Sequence, residues 1–97
     1  MALQINKQNK IYELNGSLTA DQVFELGRFF NLKLHLENEL IISLKKLDTV
    51  DISAALMFKQ LFSQAAMRNK KCTIRGLKNH KIHGAFRHTE QMHVLSA

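Results

Sequence analysis

Apolar positions change their spacing several times along the chain, and each change marks an element. Leu3 and Ile5 alternate with polar neighbours, and Ile11-Tyr12-Glu13-Leu14 alternates again. Two short strands joined through the polar stretch Asn6–Lys10 predict a hairpin that ends at Asn15-Gly16-Ser17. From Leu18 the period lengthens. Val23, Leu26, Phe30 and Leu34 recur at helical spacing, which predicts a first helix running to about residue 35. Thr19 and Gln22 stand at the two positions of a capping box, Leu18 and Val23 at those of a hydrophobic staple. Asp21 suits the positive end of the helix dipole.

Leu40-Ile41-Ile42-Ser43-Leu44 is a short apolar run with the length and composition of a buried strand. A charged connection, Lys45–Val50, is predicted to follow it, and Asp51-Ile52-Ser53 opens a second helix lasting to about Arg68. Met57, Phe58, Leu61, Phe62, Ala65 and Ala66 exceed one inward stripe, and Leu56 and Met57 fall on flanking faces. That excess implies that a partner covers part of this helix. Lys70–Gly76 reads as a further strand with Cys72 in its interior, and Asn79 caps a last helix whose inward face is Ile82, Ala85 and Phe86. Met92, Val94 and Leu95 are expected to close the edge of the core. The reading is α/β in the order β-β-α-β-α-β-α: one domain over residues 1–97, with three or four helices on a mixed four-to-five-stranded sheet.

In such a sheet, ligand and partner surfaces form beyond the C-terminal ends of strands, where helix N-termini gather. Residues 48–58 are therefore the predicted outward-facing site.

Charge adds an asymmetry. Residues 1–51 carry six Lys/Arg against seven Asp/Glu, whereas residues 52–97 carry eight Lys/Arg against Glu90 alone. A basic half of this kind suits a solvated face, an acidic protein, nucleic acid or an anionic lipid surface. Nucleic-acid platforms interleave aromatic residues, and Phe86 is the one candidate there. No apolar run approaches the ~18 residues of a membrane span, and no secretory signal is visible at the start, so a cytoplasmic setting is expected. Cys72 is the only cysteine, consistent with a reducing compartment.

Gly16-Ser17-Leu18-Thr19, the strand Leu40–Leu44, the connection to Val50 and Asp51-Ile52-Ser53-Ala54-Ala55-Leu56 together resemble the STAS domain family. The resemblance spans about residues 10–95, nearly the whole chain, and rests on element order and these short signatures. It implies a four-stranded sheet with helices, no catalysis, and docking of a protein partner on the loop and N-terminus of the second helix. On this sequence those positions are Asp48, Thr49, Asp51, Ser53, Ala54, Met57 and Lys59. Two kinds of partner follow from the family. One is an anti-sigma factor or switch kinase, as for bacterial anti-sigma-factor antagonists. The other is the ATPase subunit of an Mla-type lipid ABC transporter, served by a small STAS subunit.

Many members carry a phosphorylatable Ser or Thr directly after the Asp. Here that position is Ile52, which has no hydroxyl, and Ala54 stands where the family usually has Gly. Ser53, one position later, is the candidate phosphoacceptor; as a plain structural residue it is a first-turn or N-cap serine. The expectation is an interaction surface without the usual phospho-switch.

Other chemistry finds little footing. There is no G-x-S-x-G, P-loop, G-x-G-x-x-G or H-E-x-x-H pattern. His80, His83, His88 and His93 follow Cys72 but lack the paired spacing of a structural zinc site, so no metal and no cofactor are expected. Asp48 and Asp51 lack further ligands for a hard cation and read as solvated carboxylates.

Overall fold

The chain starts with the hairpin β1 (Gln4–Gln8) and β2 (Ile11–Leu18), paired antiparallel. The structure is a computed structural model and describes residues 2–86. After β2 come α1 (Ala20–Leu36), β3 (Glu39–Val50), α2 (Ser53–Met67), β4 (Lys71–Arg75) and the single turn α3 (His83–Phe86). One mixed sheet holds the strands in the order β1-β2-β3-β4, with β2, β3 and β4 parallel. Two successive crossovers in one direction across the sheet bring α1 and α2 side by side, as crossovers of the usual right hand do.

Between that face and the helices lies one core. Tyr12, Leu14 and Leu18 point in from β2, Leu40, Ile42, Leu44 and Leu47 from β3, and Ile74 from β4. Val23, Leu26, Phe30 and Leu34 meet them from α1, the stripe its periodicity predicts. Each such side chain is worth roughly 1.5–3 kcal/mol relative to exposure. Gly27 brings the helices together, since a Cβ there would stand 3.1 Å from Met57 Cγ.

Three boundaries differ from the pattern-based reading. Asn6–Gln8 are strand, because a two-residue turn with Asn9 at φ 57° lets a polar edge strand pair fully with β2. β2 does not stop at Gly16. It runs on to Leu18, and the supposed connection Lys45–Val50 is the second half of β3, paired with it: Asn15 opposite Lys46, Gly16 opposite Leu47, Leu18 opposite Val50. Irregularities in register between Glu13 and Asn15 and between Gly16 and Ser17 absorb the mismatch. β4 lies at the edge of the sheet among the described residues, so Cys72, expected in an interior strand, is half-buried on an edge strand.

β4 ends opposite Ser43, which leaves the far side of β3 open beyond that point. Asn79 closes it, its side-chain amide reaching the carbonyls of Leu44 at 3.1 Å and Leu47 at 2.9 Å. Gly76 makes the approach feasible. At φ 89° it passes so close that a Cβ would stand 2.6 Å from the Lys45 nitrogen. Ile82 and Phe86 then reach the core, Phe86 lying 6.3 Å from the Phe58 ring. Met92, Val94 and Leu95 lie outside the described residues.

Candidate functional site

Ile52, exposed by 63%, stands where β3 hands over to α2, at the C-terminal end of the parallel strands. A hydrogen bond of 2.8 Å, donated by the Asp51 backbone amide to the Leu18 carbonyl, ties this junction to the end of β2. The start of α1 follows directly from Leu18, so two helix N-termini lie side by side.

Asp51 organises the turn. Its Oδ2 accepts from the Ser53 amide at 2.9 Å and from the Ser53 hydroxyl at 2.5 Å, while its carbonyl accepts from the Ala54 amide at 2.9 Å. Asp51 therefore holds the turn that leads into the helix, whose N-cap is Ile52 and whose first residue is Ser53. The Ser53 hydroxyl, and next its amide, favour the charged carboxylate and hold the Asp51 pKa below the ordinary value, against a smaller opposing effect of burial. At the start of α1, Gln22 folds back to accept from the Thr19 amide at 3.3 Å, the reach expected of a capping box.

Of the residues singled out for partner contact, Asp48, Thr49, Ser53 and Lys59 are exposed and Asp51 is half-buried. Asp48 pairs with the Lys81 ammonium at 3.2 Å, which joins the end of β3 to the segment before α3. Ala54 and Met57, singled out with them, are instead buried: Ala54 faces the core and Met57 packs towards α1. With α2 starting at Ser53, Ala54, Ala55, Phe58 and Leu61 form its inward stripe. Met57 is drawn towards Gly27 on α1. The same rotation turns Leu56 outward, exposed by 58%.

Ile52 falls inside the predicted outward-facing stretch 48–58 but was not singled out for contact, and Phe24 was missed as a surface residue. Phe24 is 71% exposed on α1. Its signal was available, since it falls off the Val23-Leu26-Phe30-Leu34 stripe. Between the helices, Phe24 and Leu56 flank an open groove of about 370 Å³ floored by Val23, Gly27, Met57 and Leu61. Arg28, Asn31, Ser53 and Gln60 supply its polar rim.

Covalent and metal chemistry have less to work with. Burial pushes the Cys72 thiol up to about 12, so it stays protonated and unreactive near neutrality. Among the described residues, no three His, Cys, Asp or Glu side chains converge where one metal ion could be held. His80 and His83 are exposed, and His88 and His93 lie outside the described residues. No described helix is long and apolar enough to cross a membrane. No protein-family model matches the chain, and no curated protein matches it.

Proposed function

We propose that the chain is a small regulatory module of the STAS type that binds a protein partner at the C-terminal end of its parallel strands. The observation that carries this reading is Ile52. A β-branched apolar side chain stands open to solvent at the first turn of a helix, beside exposed Asp48, Thr49 and Ser53. A large apolar group gains nothing for the isolated fold there, and gains free energy when a partner covers it. The polar neighbours supply the rim that such an interface needs. The resemblance described above points to an anti-sigma factor or switch kinase as that partner, with the ATPase subunit of an Mla-type transporter as the second candidate.

The contact is constitutive in this reading. The position that takes phosphate in many STAS proteins is Ile52, and the Ser53 hydroxyl is engaged with the Asp51 carboxylate. A phosphate on Ser53 would add about −1.5 to −2 charge against that carboxylate.

Titration calorimetry against both candidate partners from the same genome tests the proposal. Binding to one of them should be lost in Ile52→Asp, while folding stability stays within about 0.5 kcal/mol because the site is exposed. Binding that survives Ile52→Asp, or no binding to either protein, refutes it. Stoichiometric phosphate on Ser53 after incubation with the kinase and ATP, read by intact mass, refutes the constitutive part alone.

A further inference from the structure

We propose that the face of the sheet turned away from the helices carries a pocket for a small phosphate ester, seated on Ser43. Along β2, β3 and β4 the residues that alternate with the core point to this face, among them Ile11, Glu13, Ile41, Ser43, Thr73 and Arg75. The register sets Glu13, Ser43 and Arg75 in one row across the three strands. A serine between two long side chains leaves a dent. The cavity there measures about 210 Å³ and is lined by that row together with Ile11, Lys45, Gln8 and Asn9.

Two features of the lining call for a ligand. Ser43 is only 5% exposed, the one polar side chain other than Tyr12 buried among the described residues. Its oxygen accepts from the Lys45 amide at 3.5 Å, and its proton meets no acceptor among those residues. A buried donor in that state costs free energy, which an incoming oxygen atom recovers. Lys45 and Arg75 are exposed cations with no carboxylate partner among the described residues, because Glu13 is held by Lys46 at 3.4 Å. The guanidinium, the ammonium, the Ser43 hydroxyl and the amides of Gln8 and Asn9 are all donors. A phosphate group matches them, with three acceptor oxygens, close to two negative charges and the geometry that an arginine fork fits. Glu13 faces the same cavity and disfavours a second anionic group, while its carboxylate can accept from a ligand hydroxyl. The occupant is therefore a monophosphate on a small hydroxylated body.

The pocket shares no residue with the Asp48–Ser53 site, so it goes beyond the partner reading and either idea can fail alone. Nuclear magnetic resonance titration with glycerol 3-phosphate should shift the backbone amides of Ser43, Lys45 and Arg75 saturably. Arg75→Gln, at an exposed position, should weaken binding at least about tenfold with an unchanged far-ultraviolet circular dichroism spectrum. Ser43→Ala should weaken it about tenfold, the worth of one hydrogen bond to a charged group. Glu13→Gln should instead tighten inorganic phosphate, which a purely structural role for the row would not do. No saturable shift, or binding indifferent to both Arg75→Gln and Ser43→Ala, overturns the proposal. Succinate bound as tightly as the ester overturns it in favour of a patch for any anion. Binding confined to phosphatidic acid vesicles, with none to the soluble ester, overturns a free ligand and assigns the pocket to a lipid headgroup.

Discussion

The two ends of the sheet are finished in different ways. At the end where β2 and β3 begin, polar and aromatic groups close on one another. The Tyr12 hydroxyl donates to Glu37 at 2.5 Å, the Lys7 ammonium lies 3.6 Å from the same carboxylate, and it also sits 5.0 Å from the Tyr12 ring centre. Tyr12, Phe29 and Phe30 meet edge to face with centroids 5.3–5.9 Å apart. The last carbonyls of α1, on Leu34 and His35, accept from the Lys70 ammonium, which also opposes the negative end of the helix dipole. At the opposite end, Ile52 lies open above the Asp51–Ser53 turn, whose side-chain bonds are local. Long-range side-chain contacts close the first end, whereas the Asp51–Ser53 turn at the other leaves Ile52 uncovered.

That contrast breaks most readily at Phe30. The ring is fully buried and stacks on both Tyr12 and Phe29. Phe30→Ala should cost about 3–5 kcal/mol, a large part of the ~5–15 kcal/mol available to a small domain. Urea denaturation measures it. A loss below about 1 kcal/mol would mean that the closed end is not where stability is concentrated.

A smaller effect is expected at the Tyr12 hydroxyl. Tyr12→Phe removes one part-buried hydrogen bond to a carboxylate and should cost about 1–2 kcal/mol. It also has a pH signature. Burial, and next the bond to Glu37, raise the Tyr12 pKa above its ordinary 10.0. Because the folded state keeps its proton longer, the contribution is complete below about pH 10 and is lost as pH rises through the higher folded value. Tyr12→Phe should flatten the alkaline fall in stability above about pH 10. The Cys72 thiol, pushed up to about 12 from an ordinary 9.0, gives the same sign from about pH 9 and contributes to the slope that remains. An alkaline limb identical in wild type and Tyr12→Phe would remove Tyr12 from this account.

Sequence patterns revealed the closed end better than the open one, for a physical reason. The inward stripe of α1 repeats without interruption, and its capping residues are local, so both the helix and its phase could be read. Along β3 the inward residues Leu40, Ile42 and Leu44 keep a period of two, then Leu47 follows after three. The irregular pairing with β2 erases the alternation that marks a strand, and Lys45–Val50 then reads as a charged connection. The phase of α2 was hidden differently. Leu56, Met57 and Phe58 are all apolar, and only the approach of Gly27 on a distant element decides that Met57 turns inward and Leu56 outward. The exposure of Asp48, Thr49, Ser53 and Lys59 was legible, as was Leu56 off the inward stripe, whereas the burial of Met57 beside it was not.

The smallest effect should come from the open end, at Asp51. Asp51→Asn keeps an oxygen that can accept from the Ser53 amide and hydroxyl, and removes the charge alone. Since the folded pKa is depressed, the ionised carboxylate contributes stability that is present above its unfolded value and lost as pH falls through the lower folded one. Wild type should therefore lose a little stability below about pH 4 that Asp51→Asn never had, and near neutrality the two should melt within a few degrees of each other. Thermal melts at pH 7 and over the acid range measure both effects. If Asp51→Asn destabilised the chain at pH 7 as much as Tyr12→Phe does, the turn would be a structural clamp like the Tyr12–Glu37 end. The contrast between a closed and an open end would then fail where the partner is proposed to bind.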